Sequence, residues 1–461
     1  MSKEGKRRKR KKVNAMEQIN LNAAGIDIGS SEIYVAVPPD RDEEDVQVFL
    51  TFTADLHYLA DWLEKCKVET VAMESTGAYW IPLYEILESR GFEVYLVNAQ
   101  HIKNVSGRKS DVMDCQWIQQ LHTYGLLSPS FRPPEEICAI RSLVRHRDML
   151  IRYRSAHIQH MQKALQLMNI QLTNVLSDIT GVTGLKIIRA IVDGQHDPKV
   201  LASFRHKQCA RSLTDIEKSL EGNYKFEHLF ALKQAVELYD FYDQQLQACD
   251  TELEKLYQAF EPPEDPGSQP PAPRTGKRRK NQAHFDLSQS LFQMTGVDLT
   301  QIDGLDALTV QVILSEVGLD MSQWPTVKHF TSWLRLSPNN VVTGGKVKRR
   351  GTLPSQNRAN VAFRLAAQSL ARSNTALGAF YRRIRARHGG PKAITATAHK
   401  IARIFYTMLK YRRAYCDPGA DHYERTYRER VIRNLQRKAA QHGFSLKPQQ
   451  STSPLSGPSV S

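Results

Sequence analysis

The residues best placed to do chemistry are acidic. Arg108-Lys109-Ser110-Asp111-Val112-Met113-Asp114 sets two carboxylates three positions apart, directly after two basic residues. If Ser110 caps a helix that starts at Asp111, then Asp111 and Asp114 share one helix face about a turn apart. Like charges at that spacing repel, and a divalent cation between them is the simplest relief. Two further carboxylates lie upstream. Gly25-Ile26-Asp27-Ile28-Gly29 and Val71-Ala72-Met73-Glu74-Ser75-Thr76-Gly77 place Asp27 and Glu74 in or at the end of apolar, strand-like runs. Asp27, Glu74, Asp111 and Asp114 together make a four-carboxylate set suited to Mg²⁺, which takes carboxylate and water oxygens. Two such ions about 3.5–4 Å apart can polarise a phosphate, activate a nucleophile and stabilise a leaving oxygen. Taken singly, an Asp is more often a cap or surface residue than a ligand; two strand-associated carboxylates with an Asp-x-x-Asp in one domain are what favour the metal site. A second constellation lies far downstream, where Thr343 precedes Gly344-Gly345 and the cations Lys346, Lys348, Arg349 and Arg350. Paired glycines let a backbone approach a ligand closely, and the cations would neutralise phosphate.

The elements that must hold the acids follow from pattern. Ala23 to Val37 reads as a hairpin turning at Gly29-Ser30-Ser31. Leu56 to Cys66 has helical spacing, Val68 to Met73 is a short buried strand, and Trp80 to Arg90 is a helix stopped by Gly91. Phe92 to Val97 is the next strand and Asp111 to Tyr124 the next helix. A hairpin followed by alternating strands and helices predicts a mixed sheet flanked by helices, with catalytic groups gathered at strand ends. Further on, Ile140, Leu143, Val144, Leu150, Ile151, Ile158, Met161, Leu165 and Met168 form a helical stripe, with Arg141, Arg145, Arg147, Arg152 and Arg154 at other positions. The stripe fits packing against a second copy, and it fits an intramolecular hairpin with a solvated basic face. His228 to Phe260 is a second helical region that could partner it. Ile302-Asp303-Gly304-Leu305 with the helix after it resembles a helix-hairpin-helix element, and a plain helical pair fits as well.

Bulk properties narrow the class. The 461 residues carry 63 Lys+Arg against 48 Asp+Glu, a formal net charge of +15. That balance points to a polyanion, nucleic acid before membrane. Every residue from Lys6 to Lys12 is basic. The six cysteines have no paired spacing, so neither a disulfide framework nor a zinc motif follows, and a reducing cytoplasm fits. The N-terminal stretch lacks a signal-peptide core, and no apolar run is long enough to span a bilayer. The expected organisation is a basic disordered tail (1–20), an α/β catalytic domain (21–132), a helical region (133–260), a Pro-rich, extended and mobile basic linker (261–284), a mostly helical C-terminal domain (285–415), a charged helical arm (416–445) and a disordered tail (446–461).

Here the sequence resembles a known family. Gly-Ile-Asp-Ile-Gly, Met-Glu-Ser-Thr-Gly and Lys-Ser-Asp-Val-Met-Asp resemble the DEDD motifs of transposases of insertion-sequence family one-hundred-ten. Pro-Asn-Asn-x-x-Thr-Gly-Gly-Lys-Val and Ala-Ile-Thr-Ala-Thr-Ala-His-Lys are similar to its eleven-eleven subgroup. The resemblance runs from about Ala23 to Tyr411. It implies a RuvC-like domain of the ribonuclease H fold, a coiled-coil segment and a C-terminal transposase domain. It also implies recombination directed by a noncoding bridge RNA that pairs with donor and target DNA, in a homo-oligomer (dimer or tetramer) associated with a prokaryotic nucleoid. Asp27, Glu74, Asp111 and Asp114 become Mg²⁺ ligands, and Arg108 and Lys109 join the downstream cations as nucleic-acid contacts. The family's nucleophilic serine corresponds to Thr343, a departure whose methyl group crowds the attacking oxygen. Ser337 and Ser355 are nearby substitutes. The resemblance implies one scissile phosphate served by carboxylates and hydroxyl together. Two other readings compete: a structure-selective nuclease, resolvase or invertase that uses only the metal site, and a non-catalytic nucleic-acid-binding protein.

Overall fold

The computed structural model describes residues 17–75, 77–98, 111–273, 280–355 and 357–447. The chain divides between Arg132 and Pro133 into two compact units.

The first unit is built on five strands: β1 Ala23–Ile28, β2 Glu32–Ala36, β3 Val46–Leu50, β4 Thr70–Glu74 and β5 Glu93–Val97. Their order is β3-β2-β1-β4-β5. The pairs β1–β2 and β2–β3 are antiparallel, while β1–β4 and β4–β5 are parallel. Helices α1 (Thr53–Lys65) and α2 (Trp80–Ser89) cover one face, and α3 (Asp111–Thr123) covers the other. The central strands are buried on both faces, which is why β1 and β4 read as nearly continuous apolar runs.

Side-chain alternation decides which residues meet which helix. Ala24, Ile26 and Ile28 of β1, with Val71 and Met73 of β4, join Leu59, Leu63, Leu83 and Leu87 in the core under α1 and α2. The alternate rows turn to α3: Ala72 clusters with Ile118, and Thr70 meets His122. The sequence pattern does not announce β3, whose burial is patchy because it lies at the sheet edge.

The second unit is mainly helical. Helices α4 (Glu135–Leu167) and α5 (Phe226–Gln258) are 33 residues each and pack along one another. Short helices, including Val182–Val192, cap their far end over a shared core of Met161, Leu165, Ile187, Leu201, Leu232 and Val236. The stripe is therefore buried against a helix of the same chain. Its arginines are not all solvated. Arg147 is 3% exposed, with Nε donating to Asp250 Oδ1 at 2.5 Å. Buried Arg154 pairs with Asp243. A charge enters a core only when a partner meets it, and both partners come from α5.

The remaining helices are α6 (Leu287–Thr295), α7 (Ala307–Val317), α8 (Val327–Trp333), α9 (Arg358–Ser369), α10 (Ala376–His388), α11 (Gly390–Tyr411) and α12 (Ala420–Gln441). Strands β6 (Val341–Thr343) and β7 (Lys346–Arg349) form a separate hairpin between α8 and α9. Segment 261–273 is not free-standing: Gly267 N donates to Gly296 O at 2.8 Å, and Asp298 N donates to Ser268 Oγ at 2.9 Å. Glu316 at the end of α7 accepts from Arg145 at 2.9 Å, which ties the C-terminal helices to α4.

Candidate active site

Strand register places the first two carboxylates side by side. Ile26 pairs with Met73 in the parallel ladder, so Asp27 and Glu74 are the next residues at the same level of adjacent strands. Neighbouring strands lie about 4.8 Å apart. Both acids belong to the rows that turn toward α3. Asp27 shares its row with Gly25, and Glu74 shares its row with Ala72 and Thr70.

Helix α3 runs antiparallel to these strands, and its contacts step evenly along them. His122 meets Thr70, and Ile118 clusters with Ala72. Four helical residues rise about 6 Å and two strand residues about 6.6 Å, so the match continues for another turn. It brings Asp114 to the level of Glu74, with Asp111 almost one turn further out. Gly25 sets how close the helix comes. A Cβ there would lie 2.1 Å from Gln119 N and 2.4 Å from Cys115 O, so only glycine admits the helix backbone. Gln119 Nε2 also donates to Ala23 O at 3.3 Å.

The local electrostatics follow this packing. Burial pushes the Cys115 thiol up to about 12, and the charges of Asp27 and Asp114 push the same way. That thiol stays protonated and donates to Val112 O at 3.1 Å, so it is not a nucleophile here. His122, fully buried between Thr70 Oγ1 (2.8 Å) and the Tyr95 ring (4.6 Å), is pushed down to about 4 by burial. It is a neutral core residue at the end of α3 away from the acids. Asp114 is half-buried and makes no hydrogen bond or ion pair among the described residues.

The all-oxygen donor set Asp27, Glu74 and Asp114 suits a hard cation such as Mg²⁺. The N-terminal turn of a helix also favours negative charge, which suits Asp111 and Asp114. Among the described residues, no three His, Cys, Asp or Glu side chains are gathered tightly enough to form a ready-made metal cage. The side chain of Asp111 lies outside the described residues, as do Arg108, Lys109, Ser110 and the side chain of Arg349. The basic run Lys6 to Lys12 and most of the cluster near Lys277 lie outside them too.

Thr343 sits at the tip of the β6–β7 hairpin, paired with Lys346. Gly344 (φ 57°) and Gly345 (φ 75°) are both left-handed, the conformation a two-residue type I′ turn requires. The paired glycines are thus explained by the turn, which leaves Thr343, Lys346 and Lys348 exposed beside it, with Arg350 exposed just past β7. Asn339 N donates to Gly351 O at 2.7 Å and closes the hairpin base. Below the turn, Val342 (58% exposed) pairs with Val347 (42% exposed), so the hairpin carries an exposed apolar pair. Ser337 Oγ donates to Thr331 Oγ1 at 3.1 Å, and Ser355 Oγ accepts from Asn357 N at 3.2 Å. Ser355 also lines a cavity of about 430 Å³ with Arg364, Leu365 and Gln368. Sequence reasoning missed Gly25, Gln119 and Cys115; a glycine two positions before an acid, inside a buried run, was the one available signal for the close helix.

A five-stranded mixed sheet of this order, with acids at the ends of two parallel strands and on the helix facing them, fits the RuvC-like DEDD class of DNA-recombining enzymes. The family comparisons agree. Residues 24–170 match the DEDD transposase model of the IS110 family, and residues 298–382 match the model described as Transposase IS116/IS110/IS902 family; together they cover half of the chain. The chain belongs to the IS110 family of transposases. No curated protein matches it.

Proposed function

We propose that this transposase cleaves and exchanges DNA strands through its carboxylate end and the Thr343 hydroxyl, guided by a noncoding bridge RNA. The observation that carries the reading is the shared level of Asp27, Glu74 and Asp114 on the α3 face of the sheet. Asp27, Glu74, Asp111 and Asp114 would hold Mg²⁺, which supplies charge stabilisation at a phosphate under attack. The protein's own contribution is placement: the sheet sets Asp27 against Glu74, and Gly25 sets the approach of Asp114.

Thr343 Oγ1 forms an ester to phosphorus as one P–O bond of the DNA strand breaks. The threonine proton leaves to base, and the departing DNA oxygen takes one up. Because the ester keeps the bond energy, a second strand can displace Thr343 and be joined without ATP. Exposed Lys346, Lys348 and Arg350, with Arg349, hold the backbone beside Thr343, and in this reading Arg108 and Lys109 also contact nucleic acid. Base pairing with the RNA would choose the sequence while the protein grips backbone and shape. The reading places the protein at the nucleoid as a homo-oligomer, and the +15 charge suits the nucleic-acid partners found there.

The test is a strand-exchange assay in Mg²⁺ with donor DNA, target DNA and the RNA. Asp27→Asn and Asp114→Asn should abolish exchange and leave nucleic-acid binding intact. Full exchange by both would refute the carboxylate assignment. Thr343→Ala should lose any trapped protein–DNA adduct, and Thr343→Ser should keep it. An adduct that persists in Thr343→Ala moves the role to Ser337 or Ser355. Cut but unjoined ends, indifferent to Thr343, would instead identify a metal-site nuclease or resolvase, the reading favoured by the glycines' sufficiency as a turn.

A further inference from the structure

Helices α10 and α11 carry eight Lys and Arg residues and no Asp or Glu. Helix α12 packs against α10 while burying only Ala420. Apolar burial therefore does little to hold it there. What fills the seam is a set of cations and rings. The Arg383 guanidinium lies 3.6 Å from the Tyr427 ring centre, 4.6 Å from that of Tyr423 and 5.7 Å from that of Phe380. Lys400 Nζ lies 4.3 Å from the Phe380 ring and 5.5 Å from that of Tyr423. Ring faces attract cations, and this attraction strengthens as water is excluded.

The rings do not neutralise the charge. Neither Arg383 nor Lys400 has an ion pair within 4 Å among the described residues, and the same holds for Arg387, Arg403 and Arg430 around them. Glu424 is the acid that acts on Arg383, from beyond ion-pair distance; Glu429 pairs with Arg433 instead. Arg383 Nη1 and Tyr423 Oη are both enclosed without a hydrogen-bond partner among the described residues. Burial lowers the proton affinity of Lys400, and Arg383, Arg430 and Arg403 lower it further. Five cations from three helices thus converge on one seam, two of them half-buried, with no anion paired to them among the described residues. Unpaired charge of one sign in a partly dry setting is costly unless an external anion meets it.

We propose that the α10–α11–α12 seam is a phosphodiester-binding site. Exposed Arg403, Arg430 and Arg387 contact nucleic-acid backbone, over a floor of field from Arg383 and Lys400 held in the cage of Phe380, Tyr423 and Tyr427. The ligand is a nucleic-acid backbone because it alone offers a line of singly charged oxygens to cations spread over three helices. Bound phosphate would supply the anion the seam lacks and would pin α12 against α10. None of its residues belongs to the carboxylate set or to the β6–β7 hairpin, and it needs no bond cleavage.

The experiment uses the full chain in EDTA, where strand chemistry is off, so its outcome is independent of the carboxylate and Thr343 assignments. Binding to a DNA duplex and, separately, to a single-stranded RNA is measured against salt concentration. Arg403→Gln with Arg430→Gln removes two exposed donors that make no side-chain hydrogen bond or ion pair among the described residues. The expected result is a loss on the order of tenfold near physiological salt. The slope of log affinity against log salt should shallow by about 1.8 on the duplex or about 1.4 on the RNA. A change confined to one polymer identifies which backbone occupies the seam. Arg425→Gln with Arg428→Gln removes the same charge from the opposite face of α12 and should change binding far less. Unchanged affinity and slope on both polymers, or an equal loss from the control pair, would overturn the proposal.

Discussion

Replacing Gly25 with alanine tests whether helix placement, as well as the acids themselves, makes the site. The new Cβ would stand 2.1 Å from Gln119 N and 2.4 Å from Cys115 O, where ordinary contact begins at 3.4 Å. Both obstacles are backbone atoms of α3, so no side-chain rotation can relieve the clash. The helix must retreat by about 1.3 Å or the strand must bend, which overpacking data price at about 1–3 kcal/mol of stability. Asp114 is carried on that helix and Asp27 on the strand two residues past Gly25, so the retreat opens the gap between them. A misplacement of about 1 Å at a reacting centre can cost about 100-fold in rate. Gly25→Ala should therefore retain a cooperative urea transition and EDTA-insensitive nucleic-acid binding while losing about two orders of magnitude in Mg²⁺-dependent strand exchange. Exchange at the wild-type rate from a folded Gly25→Ala protein would show that the approach of α3 is irrelevant to chemistry.

Two other predictions concern stability. His122 is held neutral, its folded value near 4 against 6.5 when unfolded. Between these values the unfolded chain binds more protons, so stability falls as pH drops from about 6.5 toward 4, by about 3 kcal/mol in all. Urea titrations of the wild type and His122→Leu at pH 7 and pH 5 should show a flatter pH dependence in the variant; parallel curves would refute the assignment. Asp250 accepts from Arg147 and from His284, whose Nδ1 lies 2.7 Å from Oδ2. Asp250→Ala strands a buried guanidinium and should cost about 3–5 kcal/mol. A loss below about 1 kcal/mol for Asp250→Ala alone, read by denaturant melts, would mean the pair is solvated in solution.

Much of this protein was legible before any fold was known. Local patterning showed the β1–β2 hairpin, the apolar runs of β4 and β5, and the helix that carries Asp114, because each depends on neighbours within a few residues. Short motifs also carried the family, and the excess of cations carried the class of partner. Tertiary structure decided the rest, because the deciding contacts join distant parts of the chain. Nothing local says that Ile26 pairs with Met73, yet that register is what sets Asp27 beside Glu74. Nothing local separates a solvated Arg147 from a buried one, because its partner Asp250 lies 103 residues away. β3 escaped notice for a related reason: an edge strand with one exposed side declares itself only through the ladder it joins. Sequence thus determined which family the chain belongs to; long-range packing alone determined which of its charges meet, since a contact's energy depends on distance in space and not along the chain.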